Sequence, residues 1–429
     1  MEGNIMSFER KEIASGVFLN TIEEHKFKSG RLSVRFMLPL SEETAAKYSL
    51  VFPVLRRGSV RFPDIGTIRR EEESLYDTEF ADSVYKRGDC HVLEFRMRVL
   101  HDRYALDGMV ITERALDLMT DILFAPVTEN GVFLEEYVES EKEKLIDDIL
   151  SKINDKYLYA RQRLVEEMFA GEAYGISELG TVESVSAVTP DALYAAYLAV
   201  LKSARVEIFA VGEFDFAALE QRFRTLFAAI DRADVFCPET SLAARREEVK
   251  TVCEAQNISQ GKLMLGFTTG ISATDGNYHA MQVLNMIFGG GATSKLFCNV
   301  REKMSLCYYC GSTEVAQKGA LFVGAGIEPE NEKKAAEAIL YQLDEMKKGN
   351  ISDGELSDAK LALMDSVNRI ADSAGAILNW HFSGVMNGTL LTPEEKKAKI
   401  ASVTREDVVR LAENIRLDTY YFLSGKEKA

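Results

Sequence analysis

The sequence predicts an α+β protein built from two similar domains, each a mostly antiparallel sheet packed with helices. Three observations lead there: the length, a strand–turn–helix pattern that recurs in order, and a polar stretch between its two occurrences. A chain of 429 residues is longer than one core ordinarily serves, at roughly 100–200 residues per domain. Gly30-Arg31-Leu32-Ser33-Val34-Arg35-Phe36 reads like Gly261-Lys262-Leu263-Met264-Leu265-Gly266-Phe267, and both are predicted to be β-strands. Between the repeats, Arg232 to Lys250 is polar, contains Pro238 and shows no sustained apolar period, so it reads as a linker joining domains 1–231 and 251–429.

The remaining elements follow the same order in both halves. Each repeated strand leads through a Ser/Thr/Asp-rich turn into a helix, predicted over Ala45 to Leu55 and over Tyr278 to Phe288, with Tyr48 matching Tyr278. Ser186-Ala187-Val188-Thr189-Pro190-Asp191 then resembles Ala401-Ser402-Val403-Thr404-Arg405-Glu406. Thr189 and Thr404 are suited to cap helices whose first turns carry acids, and Pro190 fits the first helical position, where no amide hydrogen is needed. Each of those helices leads to an apolar strand ending at glycine, Val206 to Gly212 and Tyr420 to Gly425.

Composition narrows the function. Hydrophobic residues at 46% and charged residues at 28% describe a globular protein. A formal charge of −16 repels phosphate backbones, so nucleic acid is not an expected partner. The start, MEGNIMSFERKEIASG, has neither a basic flank nor an apolar core, and no run of 18 apolar residues occurs; no membrane segment and a cytoplasmic location are expected. Cysteines 90, 237, 253, 298, 307 and 310 are too few for a disulfide framework in so long a chain, so reduced thiols are the expectation.

Three local patterns imitate known chemistry and fail on geometry. His91-Val92-Leu93-Glu94-Phe95 has His-x-x-Glu spacing, but in the run His91, Leu93, Phe95, Met97, Val99 the last four alternate with the charged Glu94, Arg96 and Arg98 as on a strand, where residues three apart point to opposite faces. Cys307-Tyr308-Tyr309-Cys310 is a lone CxxC; in an extended segment its thiols would face opposite ways, and buried structural cysteines are expected. Gly289-Gly290-Gly291-Ala292-Thr293-Ser294-Lys295 lacks the Gly-Lys-Ser/Thr order of a phosphate loop.

The segment Asn285 to Phe297, Asn-Met-Ile-Phe-Gly-Gly-Gly-Ala-Thr-Ser-Lys-Leu-Phe, continues into Val300-Arg301-Glu302-Lys303-Met304-Ser305-Leu306-Cys307-Tyr308. It resembles the second-half signature of the pitrilysin/insulinase peptidases, the family of mitochondrial processing peptidase: a helix ending in a glycine-rich loop, a small-residue and Leu-Phe run, then Arg with Tyr seven residues later. Arg301 and Tyr308 stand at that spacing. Ala173-Tyr174-Gly175 with Leu179-Gly180-Thr181 resembles the family's first-half loop, so the likeness spans essentially the whole chain.

Active members carry His-x-x-Glu-His on a first-half helix, because residues i and i+4 share a helix face and two imidazoles can grip one Zn²⁺ while the Glu activates its water. Anchored on Gly58-Ser59, that motif falls on Ser49-Leu50-Val51-Phe52-Pro53, where none of the three side chains is present. Pro53, lacking an amide hydrogen, is expected to make this stretch of helix irregular. Histidines 25, 91, 101, 279 and 381 include no pair four apart. Glu139 matches the family's third ligand but is expected to be a solvated helix charge.

The resemblance therefore implies a subunit with no metal of its own, shaped as half of a clamshell. Its zinc-bearing sibling would complete a chamber for an extended peptide. Arg301 and Tyr308 would act in trans, holding the negative charge that develops on a peptide carbonyl, and Gly289, Gly290 and Gly291 would lie by the bound peptide. Within the family the likeness is to a Gram-positive branch named for association with elongation factor P modification. The alternative is a non-catalytic dimer or scaffold of the same fold that binds an extended peptide, on a sheet edge for example. No Ser-His-Asp or Cys-His arrangement suggests independent hydrolysis.

Overall fold

The computed structural model describes residues 8–106 and 108–425. Its first sheet contains β1 (Phe8–Ala14), β2 (Val17–Ile22), β3 (Ser29–Pro39), β4 (Glu79–Arg87), β5 (Cys90–Leu100) and β6 (Arg205–Val211), in the order β1-β2-β6-β3-β5-β4. The second contains β7 (Lys250–Gln256), β8 (Gly261–Thr268), β9 (Cys307–Val315), β10 (Ala320–Ile327) and β11 (Arg416–Gly425), in the order β7-β11-β8-β10-β9. Setting β1 aside, the two orders superpose strand for strand. So does the pairing sense: β2 and β6 run parallel, as do β7 and β11, and every other pair is antiparallel. The repeated sequences are β3 and β8, the central partners in each sheet, and the predicted α+β duplication is present as topology.

Side-chain alternation gives each sheet two distinct faces. In the first, Leu32, Val34 and Phe36 of β3 and Leu93 and Phe95 of β5 enter the core with Leu50, Val51 and Phe52 of the Glu42–Leu55 helix. Phe52 meets Phe36 and Phe95 edge-on, with ring centroids 5.7 and 5.8 Å away. The opposite face is polar yet buried. Glu94 Oε1 accepts from Arg35 Nε and Nη2 and from Ser33 Oγ at 2.7 to 3.0 Å. The fully buried Glu207 accepts from Arg10 Nη2, Arg205 Nη2 and Asn20 Nδ2, each at 2.8 Å.

This second face is covered by a helix from the other end of the sequence, Ala374–Met386, whose Phe382 lies 4.0 Å beneath the Arg35 guanidinium and 5.9 Å from Phe209. The second sheet is treated likewise. The Lys156–Met168 helix places Ala160, Leu164, Val165 and Met168 against Met264, Phe322, Tyr421 and Leu423. Gly266 permits that approach, since a Cβ there would fall 2.6 Å from Met168 Sδ. One compact unit accordingly gathers the chain up to Ser151, Ile176–Glu239 and Ala371–Ser383; the other gathers Lys152–Gly175, Thr240–Ile370 and the chain from Gly384. The sequence halves 1–231 and 251–429 are thus not the compact units, because each sheet takes a covering helix from outside its own half. Residues 232–249 form neither helix nor strand.

Both predicted caps form. Thr189 Oγ1 accepts from the Ala192 amide, with Pro190 at the first helical position, and Thr404 and Asp407 cap reciprocally at 3.1 and 3.0 Å. Two helix expectations need correction. Pro53 does not break its helix, which continues to Leu55; in the last turn a missing amide removes only one rung, the one to Ser49. The helix beginning at Tyr278 is α-helical only to Asn285, and then widens into a π-helical turn over Met286–Gly290.

His91 is wholly buried with its ring centroid 5.9 Å from that of Tyr48, and burial pushes its pKa from 6.5 down to about 4 despite the opposing pull of Glu178. The folded value lies below the unfolded one, so unfolding takes up a proton between them. The contribution is complete above pH about 6.5 and is lost as pH falls toward 4. We expect urea midpoints to drop between pH 7 and 4.5, His91 accounting for ~3 kcal/mol, and His91→Leu to flatten the slope. Equal slopes for the two proteins would show that His91 is not the group responsible.

Candidate functional site

Arg301 is carried by an irregular, π-helical segment, Leu296–Lys303, that connects to β9 through Ser305, a non-glycine residue at φ 52°. Its guanidinium stacks over Phe297 at 4.5 Å, and its Nε lies 3.4 Å from Glu302 Oε1. Arg301 lines an open pocket of about 420 Å³ together with Phe297, Tyr157, Tyr309, Gly311 and Thr313. The pocket runs along β9, the edge strand of the second sheet.

Tyr308, at the family spacing from Arg301, is placed differently. On β9, Tyr309 pairs with Gly326 and Cys307 with Ile327, so Tyr308 is an extra residue, a β-bulge. It is 58% exposed and its hydroxyl hydrogen-bonds Glu328, an interaction that raises the phenol pKa. Arg301 is instead brought together with the neighbouring Tyr309. That ring stands edge-on to Tyr157 at 5.5 Å, with Lys262 Nζ 5.5 Å from its centroid, and burial raises its pKa. Sequence reasoning missed Tyr309; the Tyr308-Tyr309 doublet on a strand was the available signal, since alternation sends one of the two to each face.

The bulge also overturns the expectation for the CxxC. With Tyr308 looped out, Cys307 and Cys310 are two rungs apart and share a face. Both are buried and free, and their thiols hydrogen-bond each other. That bond, aided by the Arg301 charge, lowers the Cys307 pKa, while the same bond and burial raise Cys310.

The three glycines do not form a simple loop. Gly289 and Gly290 lie in the π-helical turn and Gly291 is extended at φ −135°, ψ 169°. A Cβ on Gly289 would come within 2.7 Å of the Ser312 amide nitrogen and of Leu296 Cδ1. Glycine is thus required there for the turn to pack against β9. Ser312 Oγ also ties β9 to this turn through Asn285 Oδ1, at 2.6 Å.

At the first-half position of the metal motif, the residues present do not fit zinc. Ser49 Oγ donates to the Glu178 carbonyl at 2.6 Å, Phe52 is locked into the core, and Pro53 has no ligand atom. Glu139 is half-exposed and accepts from Lys142 Nζ at 2.8 Å. His91 packs toward Tyr48 while Glu94 engages Arg35 on the other face of β5. Among the described residues no group of three or more His, Cys, Asp or Glu could hold a metal ion. No described helix is long and apolar enough to cross a membrane.

Restoring the motif spacing should therefore fail. We expect Ser49→His with Phe52→Glu and Pro53→His to destabilise the fold by ~3 kcal/mol or more, because a charge replaces a core phenyl ring. Calorimetry with metal analysis checks this; an undiminished Tm with one equivalent of zinc would contradict it.

Comparison with known proteins agrees with this geometry. A family model described as the peptidase M16 inactive domain matches residues 187–363. A Bacillus subtilis protein, YmfF, described as a probable inactive metalloprotease, is 31% identical over 421 residues, covering 98% of this chain and 99% of its own. An uncharacterized zinc protease of Streptomyces coelicolor is 26% identical over 309 residues, covering 70% of this chain and 66% of that protein. Among solved structures, a conserved protein from Enterococcus faecalis V583 is similar with a TM-score of 0.92 and 31% identity, covering 98% and 99% of the two chains. A peptidase M16 inactive domain from Pseudomonas fluorescens shares the fold, with a TM-score of 0.81 at 20% identity and 99% coverage of both.

Proposed function

This chain belongs to the M16, or pitrilysin/insulinase, peptidase family, and we propose that it is the zinc-lacking subunit of a two-chain metallopeptidase. In this reading it presents Arg301 and Tyr308 to a peptide bond held at the zinc of a sibling chain. The observation that carries it is the contrast between the two halves. The metal position is filled by Ser49, Phe52 and Pro53, whereas Arg301 stays accessible in a pocket along an edge strand.

The sibling's metal would supply the activated water. This chain's part is to bind and polarise. An extended peptide can add to the free side of β9 by main-chain hydrogen bonds, with its side chains received in the pocket of Tyr157, Phe297 and Tyr309. A guanidinium and a phenol hydroxyl then stabilise the oxyanion that forms on the scissile carbonyl. Because the bond to Glu328 raises its pKa, Tyr308 remains a protonated donor, and its hydroxyl must leave Glu328 to reach an oxyanion.

That same bond favours a second reading, a non-catalytic peptide-binding scaffold, in which Tyr308 is a tethered surface residue. Kinetics of the complex purified with its sibling separate the two. We expect Arg301→Ala and Tyr308→Phe each to lower kcat ~10²-fold, and Glu328→Ala, by releasing Tyr308, to raise it. Unchanged cleavage in all three variants would leave only the scaffold.

A further inference from the structure

The polar face of the first sheet holds a second pocket, of about 260 Å³, far in character from the tyrosine-lined one. It is lined by Arg31, Ser33 and Arg35 of β3, Glu94 and Arg96 of β5, and the first turns of the Ala374–Met386 helix through Gly375 and Asn379. Three guanidiniums therefore face one carboxylate. That carboxylate is already committed: Glu94 Oε1 accepts from Ser33 and twice from Arg35, while Oε2 takes Ser83 Oγ at 3.3 Å and lies 3.7 Å from Arg96 Nη1. Burial would raise the Glu94 pKa, but Arg35, Ser33 and Arg96 outweigh it and hold the group ionised.

After these bonds positive charge remains unsatisfied. Arg35 is 3% exposed, and its Nη1 is buried with no hydrogen-bond partner, although Nε and Nη2 are spoken for by Glu94 and Asn379. Arg31 Nε lies beside Gly375, where a Cβ would be 3.8 Å away, and Arg96 donates to Ser83 only at 3.2 Å. The other nearby acid, Glu79, bonds Arg98 at 2.9 Å and its charge is also felt by Arg31 and Arg96, which leaves two carboxylates against four guanidiniums. The helix meets the pocket at its N-terminal, electropositive end. In a chain of charge −16, three guanidiniums around so small a space, one of them with a buried and unpaired Nη1, favour an anion.

We propose that this pocket binds a carboxylate of a peptide, held between the Arg31 and Arg96 guanidiniums with the free Nη1 of Arg35 beneath. The volume admits a carboxylate and a few attached atoms but no nucleotide. Planar guanidinium forks match a carboxylate's two oxygens. The source is either a chain's terminal carboxylate or an Asp or Glu side chain. The inference rests on the peptide-binding reading above only for the carrier of the group.

Fluorescence anisotropy with the full-length chain and rhodamine-labelled decapeptides tests it. The set comprises a Glu-free peptide with a free C-terminus, its C-terminal amide, and the amide with an internal Glu. We expect the free acid to bind about tenfold or more tightly than its amide, and the double variant Arg31→Ala/Arg96→Ala, which leaves the Arg35–Glu94 pair intact, to erase that difference. If only the Glu-bearing amide regains affinity, and loses it in the variant, the site stands and reads side chains. Equal binding of all three peptides, or a preference that survives in the variant, overturns the carboxylate site while leaving peptide binding in place. No binding of any peptide overturns both.

Discussion

The central strands β3 and β8 are hydrogen-bonded on both sides, so every second side chain of each must be accommodated on a face that the strand's own half does not cover. In β3 that face carries Arg35, and a buried guanidinium without a counter-charge is strongly unfavourable. Glu94 answers it across the β5 rung, and one strand over Glu207 gathers Arg10, Arg205 and Asn20. Phe382 then seals the face, giving Arg35 an aromatic surface at 4.0 Å. The second sheet solves the same problem with apolar residues, Met264 and Tyr421 against Leu164 and Met168. In both cases the cover arrives from a distant part of the sequence, and that requirement makes two interlaced units out of two sequential repeats.

This interlacing explains what could and could not be read beforehand. Strand β3 was legible because period-two alternation and an apolar set on one face are local properties, and Thr404 announced a helix start because capping involves residues three apart. Nothing local in Ala374 to Met386 says which sheet it will cover; its apolar residues suit either. The bulge at Tyr308 was equally silent. It depends on register with β10, a property of the pair of strands and absent from either alone. A reading based on unbroken alternation therefore put Cys307 and Cys310 on opposite faces, where the extra residue sets them side by side. The Arg301 spacing was legible through family resemblance, whereas Tyr309, which lines the same pocket, was signalled only by the tyrosine doublet and could be placed on that face only once the bulge was known.

The vanished metal position shows the same coupling between packing and chemistry. Ligands on that helix would have to point away from the core, held by partners that keep imidazoles neutral and oriented. Here Phe52 instead turns inward between Phe36 and Phe95, and Ser49 spends its hydroxyl on the Glu178 carbonyl. Both residues add to stability in the places where a hydrolytic site would subtract from it. Recovery of a metal site would require the core to give up an aromatic ring and Glu178 to find another donor, so the loss is built into the packing and does not reside in three side chains alone.

The matching part of the second half has not been relaxed in this way. Where the first half has one α-helix running through Pro53 to Leu55, the second has a π-helical turn at Met286–Gly290, another irregular segment over Leu296–Lys303, Ser305 in the left-handed region and a bulge at Tyr308. Each departs from the lowest-energy backbone: a non-glycine residue at positive φ costs ~1 kcal/mol, and wide turns weaken their own hydrogen bonds. Strain of this kind persists where surrounding structure enforces it; here the turn packs so near β9 that a Cβ on Gly289 would fall 2.7 Å from the Ser312 amide nitrogen. The first half shows a regular helix where the second has its first π-helical turn, although it too carries left-handed residues, Tyr76 and Asp77, just ahead of β4. Asn130 and Asp234 are left-handed as well, and β1 and β11 carry bulges, but among the described residues both π-helical segments fall in the stretch that carries Arg301, next to the bulge at Tyr308, and that concentration supports the proposed working surface in the second half.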